Sequence, residues 1–89
     1  MGNNNFLTDL PNIGQTLAIK LQMVGITNAK ELTSLGSEEA IIRLSTLENC
    51  GACINMLYAI EGAIQGIRWH DLSHEKKLEL LEFYNRYCK

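Results

Sequence analysis

The chain has 89 residues, with eight Lys and Arg against ten Asp and Glu, a formal net charge of −2 and three cysteines. A single domain of that size buries roughly 60–65% of its unfolded surface, enough for a core without disulfides or metal. The mild acidity argues against a generic polyanion binder, because affinity for nucleic acid grows with the number of phosphates neutralised. The opening MGNNNFLTD has neither the basic nor the apolar region of a signal peptide, and Phe6 stands where N-myristoylation needs Ser or Thr. A cytoplasmic chain with reduced thiols is therefore expected.

Asn3 to Asp9 reads as at most one short turn, with residues 1–8 expected to fray. Leu10-Pro11-Asn12-Ile13-Gly14 is a turn signal leading into a helix from Gln15 to Val24, where Leu17, Ala18, Leu21 and Val24 repeat at helical spacing. Gly25 sits where a left-handed C-terminal cap belongs. Asn28 with Glu31 forms a capping box for a short helix, Ala29 to Leu35. Gly36 ends that helix, and Ser37 is expected to cap the next, with Glu38 and Glu39 in its first turn and Ala40, Ile41, Leu44 and Leu47 facing inward. A last helix is expected to run from a Ser73 cap to Tyr87, carrying Leu78, Leu81 and Tyr84 on one face.

Between these lies INMLYAIEGAIQGI, Ile54 to Ile67, apolar on most of its circumference. Cys53, Met56, Leu57, Ile60, Ile64 and Ile67 form a helical stripe, while Ile54, Tyr58, Ala59 and Ala63 are apolar outside it. A helix of that kind is buried by several neighbours, and its 14 residues fall short of the roughly 20 of a membrane span. Gly62 and Gly66, four apart, are expected to share a face that admits a second helix closely. No stretch alternates with the period of a strand. The fold class expected is all-α, five helices packed compactly around this central one.

One pattern recurs. Leu10-Pro-Asn-Ile-Gly14 and Leu47-Glu-Asn-Cys-Gly51 share L-x-N-x-G at an offset of 37, continued by Gly25 against Gly62. It is read either as chance or as a duplicated helix-hairpin-helix unit. The first of these runs, with Ala18, Val24-Gly25-Ile26, Glu31-Leu32 and Leu35-Gly36, resembles the C-terminal domain of the TfoX (Sxy) competence-regulator family. So does Asn55-Met-Leu-Tyr-Ala-Ile-Glu-Gly-Ala63 followed by Gly66, Trp69, Asp71 and Leu72, which is the more specific part. The resemblance covers roughly residues 8 to 82. It implies a five-helix domain related to helix-hairpin-helix modules and an association with regulators of bacterial DNA-uptake genes. Full-length regulators of the family carry an α/β domain ahead of this one, which this sequence does not show.

Little chemistry is suggested. Cys50-Gly-Ala-Cys53 has redox-pair spacing but no preceding strand to set it in a thioredoxin-like unit. Adding His70 and His74 approaches a zinc formula, yet 17 helical steps from Cys53 to His70 separate the pairs by roughly 25 Å. His70 and His74 are expected to flank a helix start capped by Asp71 or Ser73. Glu61, a carboxylate on an apolar helix, is expected to find an ion pair or a hydrogen bond at a neighbouring helix start. No triad, P-loop or dinucleotide fingerprint occurs, so no enzyme, cofactor, metal or small-molecule substrate is expected.

The function expected is a regulatory interaction module acting through a protein partner or self-association. Its alternative is weak, sequence-independent DNA binding through hairpin backbone contacts. Candidate phosphate contacts are Asn12, Ile13, Gly14, Gln15, Thr16 and Lys20, with Asn49 and Gly51 as a weaker second hairpin. The usual second glycine of a phosphate-gripping hairpin is replaced by Asn12.

Overall fold

The computed structural model describes residues 6–47 and 54–87. Five helices lie among them: α1 (Gln15–Met23), α2 (Ala29–Leu35), α3 (Ser37–Leu44), α4 (Ile54–Gln65) and α5 (His74–Tyr87). Two 3₁₀ turns, Leu7–Asp9 and Trp69–Asp71, complete the order, and no described residue is in a strand. The domain is all-α and is built around α4, which packs against α3, α5 and the Trp69–Asp71 turn. Both α1 and α2 also pack against α3. Leu7 is buried, so the chain is anchored to the core from the first turn onward. No helix among the described residues is long and apolar enough to cross a membrane.

The core follows the expected stripes on α1 and α3, while on α4 it runs through Leu57 and Ile60 to Ala63, with Met56 and Ile64 half-buried. Leu21, Leu32, Ile41, Leu44, Leu57 and Ile60 are fully buried. On α5 the inward face differs from the expected one. Leu80 is buried with Phe83 and Tyr84 packed beside it, while Leu78 and Leu81 are exposed. The helical rotation that turns Leu80 inward carries Leu78 about 160° away from it.

Local chemistry explains where the helices stop. Gly25 has φ +88°, with its amide donating to Gln22 O and that of Ile26 to Leu21 O, the paired bonds of a Schellman cap. Gly66 repeats this after α4 at φ +78°, with Gly66 N bonded to Ala63 O and Ile67 N to Gly62 O. The central helix therefore ends at Gln65, short of Ile67, and Gly66 lies outside it in open space. It follows that Gly25 corresponds in conformation to Gly66 and not to Gly62, which sits inside α4. The sequence echo does not extend that far.

Asn28 caps α2, its Oδ1 accepting from Glu31 N at 2.8 Å. The return bond of the box is displaced by one residue, since Glu31 Oε1 accepts from Thr27 N at 2.7 Å and Thr27 Oγ1 at 2.8 Å. Ser37 does not cap α3. Gly36, at φ +88°, is the cap residue, and the sharp turn it permits places Ser37 as the first residue of the helix with its hydroxyl inside. Ser73 caps α5 as expected, its Oγ accepting from Lys76 N at 3.0 Å. His70 falls in the preceding 3₁₀ turn and His74 opens the helix.

Candidate functional site

The first hairpin divides into an inner and an outer half. Asn12 takes the left-handed conformation, φ +69°, which its short side chain tolerates. That side chain points into the protein. Its Nδ2 donates to Ile67 O at 2.9 Å and to Ala59 O at 3.3 Å, and its Oδ1 accepts from Trp69 N at 3.2 Å. Ile13 is buried beneath it. Gly14, Gln15 and Thr16 are exposed, and Gly14 begins α1 with no side chain capping it. Ala18 makes the first intrahelical bond, to Gly14 O, so the amides of Gln15, Thr16 and Leu17 precede the ladder. Lys20 lies half-buried a turn further on. Of the first-hairpin residues, Gly14, Gln15 and Thr16 thus share an accessible surface, while the side chains of Asn12 and Ile13 do not reach it. Asn49, Gly51 and the Cys50 and Cys53 pair lie outside the described residues.

The bonds of Asn12 bring a second segment to the hairpin. Arg68 and His70, both exposed, flank Trp69, the residue whose backbone Asn12 holds. Trp69 stacks on His70, with centroids 4.0 Å apart and planes at 29°, and lies nearly parallel to Tyr58 at 6.3 Å. Lys77 Nζ stands 5.7 Å from the Trp69 ring centre, a cation–π distance. Sequence spacing offered no means of placing Arg68 and His70 beside residue 12. The one available signal was Gly62, where an added Cβ would stand 2.7 Å from Asn12 Nδ2, 2.9 Å from Ile67 O and 3.1 Å from Trp69 Cα. What approaches Gly62 closely is this side chain and turn, not another helix.

Glu61 forms a separate polar junction. Ser37 Oγ donates to its Oε1 at 2.6 Å and Gln65 Nε2 to its Oε2 at 2.7 Å, with Lys76 Nζ 4.0 Å from Oε2 and 3.4 Å from Glu79. One carboxylate thereby links α3, α4 and α5 at the start of α3, as its position on an apolar helix led one to expect. The junction lies along a groove of about 240 Å³ that also takes in Leu35, Gly36 and Glu38. A larger open groove of about 380 Å³ is lined by Gly25, Lys30, Glu31, Ser34, Leu35 and Arg43. Its charged groups already have partners inside the protein. Glu31 holds Thr27, and Arg43 bonds Glu39 at 3.1 Å and Val24 O at 3.4 Å.

An all-helical domain with a hairpin pinned by an asparagine to the turn after its central helix is the architecture at hand. The chain belongs to the TfoX C-terminal domain family, whose signature it matches over residues 3–84. It is also similar to an uncharacterized protein from Listeria monocytogenes, solved in a triclinic crystal form, at 45% identity and a TM-score of 0.85 over 90% of each chain. A tetragonal form of a protein of unknown function from the same organism gives 45% identity and a TM-score of 0.84 over 90% of this chain and 96% of that one. No curated protein matches the chain.

Proposed function

We propose that this domain is a non-enzymatic regulatory module of the bacterial cytoplasm that acts by docking on a protein. The observation that carries the reading is the outer face of α1. Ile19 and Met23, one turn apart, are 53% and 65% exposed there. Helical spacing groups them with Gln15, Thr16 and Gln22, all exposed and none of them charged. A surface apolar at its centre, with Met among neutral side chains and Lys20 half-buried at its edge, has the composition of an interface core with a polar rim. Membership of the TfoX C-terminal domain family, with the association to competence regulators that the resemblance implies, supports such a role.

A second reading has its own support. The unladdered amides at Gln15 and Thr16, next to a turn bearing Arg68 and His70, suit a phosphate, and the relation to helix-hairpin-helix modules belongs to this reading. Fewer than about four phosphate contacts are at hand, so binding would fall near the non-specific range of roughly 10⁻⁴–10⁻⁶ M and weaken with salt. The test is an amide-shift titration with duplex DNA at low salt. Unmoved resonances at Gly14–Thr16 and Arg68–His70 are expected. Saturating shifts confined to those residues would move the conclusion to DNA, and a tight, salt-insensitive complex would overturn the protein-docking reading outright.

A further inference from the structure

We infer that α5 presents a second docking face, which takes an amphipathic helix of a partner protein whose apolar seam is bordered by Lys or Arg. It lies on a different helix from the face of α1 described above, so either can fail alone. Along α5, His74, Leu78, Leu81 and Asn85 follow one another at steps of four, three and four. That is the a and d spacing of a seam between two helices, and here all four residues are exposed. Leucines occupy its middle, and an asparagine closes it at a position where a polar side chain fixes register.

The charges beside the seam select the occupant. Glu75 and Glu82, seven apart, both border it on the same side, both are exposed, and neither has a partner among the described residues. Arg86 and Glu79, which pairs with Lys76, lie further round the helix, away from the leucines. The other border, Lys77 and Tyr84, is half-buried, with Lys77 over the Trp69 ring and Tyr84 packed on the core. An incoming helix therefore meets the leucines and the two glutamates. Basic residues at its own flank would pair with them. A second copy offers the same open glutamates, so self-pairing sets carboxylate beside carboxylate. Nucleic acid and anionic bilayers are repelled for the same reason.

The seam is short. Its eleven steps span about 16 Å, under the extent of a standard interface, so dissociation near 10⁻⁴ M and weakening with salt are expected.

The experiment titrates the labelled full chain with a three-heptad peptide at about 50 mM salt, up to about 1 mM peptide, reading amide shifts. The peptide carries leucine at a and d and lysine on both flanks, which keeps it from pairing with itself. Saturating shifts should centre on His74–Asn85. The double variant Glu75→Lys, Glu82→Lys should weaken binding about tenfold or more and take up the same peptide with glutamate flanks instead. Leu78→Ser should weaken it about fivefold or more. Helical circular dichroism should be unchanged in these variants, because all three sites are exposed. Asp9→Asn, an exposed carboxylate elsewhere, and Met23→Glu on α1 should leave binding as it was. No saturation by about 1 mM, or binding that Leu78→Ser does not weaken, overturns the inference, the latter because the peptide then follows charge alone. Loss of binding in Met23→Glu overturns it too, by moving the peptide to α1. Saturable DNA binding at Gly14–Thr16 would remove the reading of the α1 face and leave these outcomes for α5 unchanged.

Discussion

Asn12 does the work of two residues. Its backbone adopts the left-handed turn that a glycine normally serves, and its amide ties three groups 47 to 57 positions away. Asn12→Ala loses both properties and is expected to destabilise by about 2–4 kcal/mol. Asn12→Gly keeps the turn and should lose roughly 1–2 kcal/mol less. Equal urea midpoints for the two variants would show that the φ contributes nothing. Gly62 is the complementary residue, because the space a methyl group would take there is occupied by Asn12 and by backbone. Gly62→Ala should cost about 1–3 kcal/mol through forced displacement. At Gly66, where nothing stands within 4 Å but φ is +78°, Ala should cost about 1 kcal/mol through backbone strain. Two glycines four apart looked alike in sequence. They differ because one stands inside a helix and the other terminates it.

Most of the helices were legible because their punctuation is chemical. The start of α2 was set by Asn28 and Glu31, its end by Gly36, and the start of α5 by Ser73. The face of α5 was not legible. Leucines at 78, 80 and 81 satisfy two helical stripes, and only the position of α4 selects the one through Leu80. The role of Ser37 was missed for a related reason, since a serine after a glycine suits a cap as well as an inward hydroxyl. With Glu61 as acceptor, Ser37→Ala is expected to destabilise by about 1–2 kcal/mol, checked by urea unfolding beside wild type.

The loop before α2 carries a pH signature. The amide of Thr27 and then its hydroxyl hold the Glu31 carboxyl below its usual value. A lowered folded-state value means stability that is present above the unfolded carboxylate's pKa and is lost as pH falls through the folded one. Glu31→Gln should therefore be less stable than wild type at pH 7, and the gap should close as the pH drops through and below the ordinary carboxylate range. A gap that persists at pH 2 would assign the effect to packing instead of charge.

At the scale of the whole molecule, the apolar core running through all five helices should keep the chain folded without covalent or metal staples. Helical circular dichroism is expected to be unchanged by EDTA and reductant together, and its loss would implicate Cys50, Cys53 and the histidines. The all-α class and the central place of α4 could be read from hydrophobic periodicity, which reports burial directly. The candidate site could be read only in part. Periodicity says nothing about which turn meets which, so the convergence of residues 12 and 68–70 had no signal beyond a conspicuous glycine.

That convergence also says something about the order in which the molecule assembles. The packing of α3, α4 and α5 joins consecutive helices, whereas the Asn12 tether spans more than half the chain and closes a long loop. Loop closure over such a separation is unfavourable until its ends already have a surface to meet. The N-terminal turn should thus arrive after the barrier, on a platform made by the end of α4 and the turn that follows it. In stopped-flow kinetics Asn12→Ala should speed unfolding and leave the refolding rate nearly as in wild type, while Leu57→Ala in α4 should slow refolding. The tether would then act as a latch, closed last and first to open. Amide exchange should find its protection lost at Asn12 and Trp69 together, ahead of the helices they join.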